Sequence, residues 1–178
     1  TFDPGLFEDV CVEDSFETKN LILIYYYILK SRFSEDVLHC LTAAEDIYRK
    51  IFPKLSQSTQ WDIFIILYNR LFGSITSDIK YLVRANDLID FVWSNDVFSH
   101  NKRLKLDFRG FLSALSIKFS LLDADSFRLF IEQYSDKVDN KYIESIRDYS
   151  NALLCFKERS FDKCLQNLSR KDILETVS

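Results

Sequence analysis

The sequence predicts an all-α fold built from antiparallel helical hairpins, and three observations carry that expectation. Gly (3) and Pro (2) are scarce over 178 residues, whereas a β-rich chain needs many tight turns that lean on them. Hydrophobic residues make up 47% of the chain, with 16 Phe and 9 Tyr, which is ample core material and argues against disorder. From about residue 15 onward the apolar residues recur at helical spacing, interrupted by short polar corners.

Residues 1 to 13 read as irregular, with a "DPG" turn at 3–5. A first helix from about Ser15 carries the stripe Leu21, Ile24, Tyr25, Ile28 and Leu29. A second, from Ser34, carries Val37, Leu41, Ala44, Tyr48 and Ile51 and stops at Pro53, which lacks the N–H a helix needs. After Ser58, Thr59 and Asp62 form a capping signal for a third helix. Its stripe is Trp61, Phe64, Ile65, Tyr68, Leu71 and Phe72, and Gly73 ends it. "TSD" at 76–78 caps a fourth, with Ile79, Leu82, Val83, Ile89 and Val92 inside.

A polar break, 94–106, separates the halves. A fifth helix from Asp107 turns Phe108, Phe111, Leu112, Leu115 and Phe119 inward. Asp123 and Asp125 sit where the exposed N–H groups of a sixth helix call for acidic residues. That helix carries Phe127, Phe130, Ile131, Tyr134 and Val138. "VDN" leads into a seventh with Tyr142, Ile146, Tyr149, Leu153 and Phe156. An eighth runs from Phe161 to about Leu168, and "KDILETV" opens a ninth. Paired, these make hairpins at about 15–52, 58–93, 107–137 and 140–168, a spacing within the range of helical repeats. One domain of this kind over 1–178 is expected, as a piece of a longer chain, since it starts at Thr1 and contains no methionine.

The formal charge of −4 and pI near 5.2 give no general attraction to nucleic acid or anionic membranes. The local basic run "NKRLK", 101–105, reads as a solvated loop. The longest apolar run, "LILIYYYIL" at 21–29, is about half of what a spanning helix needs. Cys11, Cys40, Cys155 and Cys164 show no CxxC spacing, so they read as reduced, small apolar residues of a cytoplasmic protein.

The segment "YSNALLCFKERSFDKCLQNLS", 149–169, resembles a tetratricopeptide repeat. Ala152, Phe161, Cys164 and Leu168 match, in order, its small, corner-aromatic, small and bulky positions. Asp148 and Asn151 stand at the family's Trp/Leu places, and Arg159 stands at its corner glycine. More broadly, residues 60 to 170 resemble a group of bacterial helical-repeat proteins through "LYNRL", "FIEQYSDKV" and the hairpin just quoted. The resemblance implies a tetratricopeptide-like α-solenoid with a right-handed superhelix and carries no activity with it.

No catalytic constellation, cofactor site or metal set emerges. The histidines are His39 and His100; neither stands near a cysteine at a spacing that completes a nucleophile–base pair or a four-ligand set. "LDADSF", 122–127, lacks the glycine and distal glutamate of a calcium loop. "YYY" at 25–27 sweeps about 200° of a helix at 100° per residue, so the three rings cannot all face one core. Core packing is the expectation for most of them, with Tyr26 a candidate partner contact. Tyr149 and Lys157 are candidates because the resemblance puts them on groove-lining faces. The function expected is a non-catalytic scaffold binding a protein or peptide. The alternative is an accessory or regulatory helical domain of a larger protein. The apolar face left open by the last helix is covered either by further chain or, as the alternative, by a second copy in a homo-oligomer.

Overall fold

Asp36, Ser56 and Asp123 each turn a side-chain oxygen onto the backbone N–H three residues ahead, at 3.0, 3.2 and 2.7 Å. A helix begins at the next residue in each case, because those donors have no partner inside the helix. Asp78 accepts from the Lys80 N–H at 2.9 Å and starts another. The computed structural model describes residues 16–76, 78–95, 108–138 and 140–168. Among them are eight α-helices and no strand: α1 Phe16–Lys30, α2 Val37–Ile51, α3 Gln57–Phe72, α4 Ile79–Ser94, α5 Phe108–Leu121, α6 Ala124–Tyr134, α7 Ile143–Lys157 and α8 Phe161–Leu168. Short 3₁₀ turns at Phe52–Lys54, Ser135–Lys137 and Asn140–Tyr142 link some of them. The all-α expectation holds. The "DPG" turn, the 94–106 break beyond Ser94 and Asn95 with its "NKRLK" run, and the ninth helix lie outside the described residues.

Boundaries differ from expectation where a neighbouring polar residue made the stronger cap. Ser56, not Thr59, caps α3. Thr59 instead donates its N–H to Ser56, and their hydroxyls lie 2.8 Å apart. Pro53 ends α2 as expected, by way of the 3₁₀ turn at Phe52–Lys54. Gly73 ends α3 with right-handed φ of −64°, so no left-handed cap operates there. The left-handed cap is at Arg159, with φ 59°. The Ser160 N–H reaches back to the Cys155 carbonyl at 2.8 Å and the Arg159 N–H to the Phe156 carbonyl at 3.0 Å. These two bonds form a Schellman closure. The corner that the repeat resemblance assigns to glycine thus keeps the glycine conformation with an arginine in place.

The chain divides into two compact units, residues 1–88 and 89–178, the division falling inside α4. In the first, α1 and α2 pack closely, and the core collects Ile24, Leu41, Ala44, Tyr48, Ile51, Ile63, Leu67 and Leu71. Arg70 of α3 closes the end of α1, donating to the Ser31 carbonyl at 3.0 Å and its hydroxyl at 3.2 Å. In the second unit Val92, Trp93, Phe111, Leu115, Phe127, Phe130, Val138 and Ile146 are buried, and α8 packs on α7.

Several expected core residues stand elsewhere. Helix α1 buries Ile24 and Ile28 and leaves Tyr25 and Leu29 exposed. On α3 the buried face turns to Ile63, Phe64, Leu67, Tyr68 and Leu71, leaving Phe72 exposed. Ile79 and Val83 of α4 are exposed, while Ala85, Leu88 and Trp93 are buried. Helix α8 buries no residue. An apolar stripe wider than the contact it meets always leaves some members outside, and periodicity cannot say which edge loses.

Candidate functional surface

Within the first unit the deepest charge is Glu45 on α2, 1% exposed. Arg49, one turn on, reaches it at 2.5 Å, and Arg84 of α4 at 3.2 Å. Arg49 also donates to the Asp87 carbonyl at 3.1 Å. The carboxylate therefore ties α2 to the first part of α4. Nearby, the buried Tyr48 hydroxyl donates to the Gln60 carbonyl at 2.7 Å, and the Gln60 amide donates to the Phe52 carbonyl at 2.7 Å. Burial holds the Tyr48 phenol far above its ordinary pKa, so it stays a hydroxyl donor. These are structural bonds that satisfy backbone groups inside the unit.

Burial also pushes the Glu45 carboxyl above its ordinary pKa, and the Arg49 hydrogen bond and the Arg84 and Arg49 charges offset that only in part. The folded chain consequently takes up this proton before the unfolded chain does as pH falls. The stability Glu45 contributes is full below its ordinary pKa and is lost as pH rises through the folded one. Glu45→Gln holds the neutral form at every pH. Measured by urea midpoints, the stability of the wild type relative to that variant should increase when pH is lowered from about 7 to about 5. A gap that stays constant or moves the other way would mean that the arginines outweigh burial.

The second unit is organised by rings. Trp93 of α4 stacks near Phe111 and Phe130 with centroids 6.1 and 5.5 Å away, and Tyr134 lies at 4.8 Å. Beside them sits Lys118 of α5, 2% exposed. Its ammonium pairs with the half-exposed Asp90 and lies 5.4 Å over the Phe130 ring. At the other end of α6, the Asp123 carboxyl is held below its usual range, chiefly by the Ser126 N–H it accepts from.

Tyr26, in the first unit, is half-buried, packs edge-on to Tyr27 at 5.3 Å and lies under the Lys30 ammonium at 5.7 Å. None of Tyr25, Tyr26 and Tyr27 is fully buried, against the expectation that most would pack into a core. Tyr149, in the second unit, is half-buried on α7. Lys157, two turns further along α7, donates to the Leu122 carbonyl at 2.6 Å and covers the Phe119 ring at 4.7 Å. Its ammonium is engaged in closing α5.

Cys40 is buried, while Cys155 and Cys164 are half-buried; all three are free thiols. The Asn167 amide approaches the Cys155 sulfur at 3.8 Å. Cys11 and His100 lie outside the described residues, and His39 is exposed on α2. Among the described residues no three His, Cys, Asp or Glu side chains gather to hold a metal ion, and no helix is long and apolar enough to cross a membrane.

The last hairpin leaves three large apolar side chains outside. Phe156, Phe161 and Leu165 are 53, 55 and 67% exposed, and the rings of Phe156 and Phe161 meet edge-on at 5.6 Å. Phe119 lies 6.1 Å beyond Phe156. The result is a continuous ridge of aromatic and aliphatic surface running from α7 onto α8. Scattered exposed apolar residues are ordinary, but adjoining ones mark contact surfaces. Beside the ridge is a recess of about 350 Å³ bounded by Arg159, Ser160, Phe161, Asp162 and Lys163. The sequence marked Phe161 as a corner aromatic through the repeat resemblance. That reading did not extend to the ridge, although the Phe161–Cys164–Leu165–Leu168 spacing on so short a helix was the available signal. No protein-family model matches the chain, and neither a curated protein nor a solved structure is similar to it.

Proposed function

We propose that the protein is a non-catalytic scaffold of stacked, tetratricopeptide-like helical hairpins that binds a protein or peptide partner. The ridge of Phe156, Phe161 and Leu165 is the observation that supports this reading. Large apolar side chains on a rigid helical hairpin supply contact area at low ordering cost, and aromatic anchors of this kind carry much of the energy of protein interfaces. The Schellman closure at Arg159 holds α8 against α7 and so presents the ridge in one arrangement.

The test compares affinity capture by the full chain and by the double variant Phe161→Glu, Leu165→Glu. Both positions are exposed, so the variant should melt close to wild type. Partners retained by the wild type and identified by mass spectrometry should be depleted at least roughly tenfold by the two buried charges. The same set of captured proteins from both chains, at equal yield, would remove the ridge as the binding surface. The same variant also reads self-association. If the partner is a second copy, light scattering should show a dimer for wild type and a monomer for the variant.

A further inference from the structure

We propose that a second surface, at the end of the α1–α2 hairpin, binds acidic segments of a partner protein through Phe16, Lys50 and Lys54. This inference rests on the scaffold reading and specifies the chemistry of one partner. Phe16 opens α1 with half of its side chain exposed. The antiparallel α2 brings Lys50, from its last turn, to 5.8 Å from the centroid of that ring. Lys54, from the following 3₁₀ turn, lies at 4.7 Å. Both lysines are exposed.

Neither ammonium forms an ion pair among the described residues. Glu17 adjoins Phe16 and Asp46 precedes Lys50 by one turn, yet neither carboxylate is paired with these lysines. By contrast, Lys118 pairs with Asp90 and Lys157 is bound to a carbonyl. The Phe16 ring attracts both ammoniums through its negative face. That restrains two long side chains which would otherwise lose rotamer freedom on binding, and it leaves their outer hydrogens free. The complementary ligand has carboxylates spaced to meet the two ammoniums, each in a charge-assisted hydrogen bond. Between them it has an apolar side chain to cover the exposed part of the ring.

The chain's own charge selects a peptide over other anions. With a net charge of −4, an extended polyanion such as a nucleic acid or an anionic bilayer would be repelled by the chain as a whole. A short acidic segment touches only the edge, and charges further away are screened within about 8 Å at physiological salt.

The experiment selects peptides from a random display library on the immobilised full chain. The binders are then joined to it with a zero-length carbodiimide, which links carboxylates only to amines in contact. Selected peptides should be enriched in Asp and Glu around a Phe or Leu, and the cross-links should map to Lys50 or Lys54. Lys50→Ala with Lys54→Ala should weaken binding roughly tenfold, and Phe16→Ala by several-fold. All three sites are exposed, so melting should be unchanged. Selected peptides without acidic enrichment, cross-links confined to other lysines, or binding to phosphatidylserine vesicles in place of peptide would each overturn the inference. Peptides that bind and are lost instead in the Phe161→Glu, Leu165→Glu variant would overturn it and leave the scaffold reading standing. Failure to capture any peptide or protein would remove both.

Discussion

Trp93→Ala should destabilise the second unit by about 3–5 kcal/mol, the usual cost of removing a buried aromatic and leaving a cavity. Trp93 is 2% exposed and touches three other rings drawn from α5 and α6. Close-packed rings cannot collapse into the space it leaves, so little of the lost contact is recovered. Urea unfolding followed by circular dichroism gives the measurement. A loss below about 1 kcal/mol would show that the ring cluster is not the core of this unit. Trp93→Phe should cost less than the alanine change, since it keeps most of the stacking area.

The second large effect is expected at Asp90. Removing its carboxylate in Asp90→Ala leaves the Lys118 ammonium, almost wholly buried, with the Phe130 ring as its remaining favourable neighbour among the described residues. A buried charge that loses its partner costs several kcal/mol. Asp90 is itself half-exposed, so water can replace part of what it supplied, and about 2–3 kcal/mol is expected. The informative companion is Lys118→Met, which keeps the stem's packing and removes the charge. Alone it should change stability by less than about 1.5 kcal/mol. Combined with Asp90→Ala it should recover most of the single-mutant loss, giving a coupling energy that a purely steric role for either residue would not produce. Additive losses in the double variant would exclude the pair as an energetic unit.

Lys118 and Glu45 show why the polar interior was hard to read from sequence. Both sit inside an apolar register: Glu45 follows Leu41 by one turn, and Lys118 follows Leu115 by three residues and Phe111 by seven. A charge on a core stripe is a legible warning of a buried pair. Its partner is not legible. Arg84 lies 39 positions from Glu45 and Asp90 lies 28 from Lys118, and local spacing contains no information about which helices meet.

The basic edge at Phe16 has the same origin. Phe16 and Lys50 belong to different helices, so only the pairing of α1 with α2 puts the ammoniums over the ring. Lys157 shows the same limit. The repeat resemblance puts it on a groove-lining face, and only tertiary packing brings its ammonium to the Leu122 carbonyl, 35 positions away.

Helix existence and order were within reach of the amino-acid sequence alone. Apolar spacing, capping side chains such as Asp78 and Asp123, and the breaker Pro53 act within one or two turns of chain, and those forces survive whatever the helices pack against. Even the last corner was readable, as a polar turn between one amphipathic run and the next, which starts at Phe161. The choice of which part of each stripe is buried, the pairing of Glu45 and Lys118, and the exposure of Phe161 and Leu165 were decided only by tertiary structure. Burial depends on the width of the neighbouring surface, and ion pairs depend on residues many turns away. Neither quantity is encoded within the few residues over which a sequence pattern can be read.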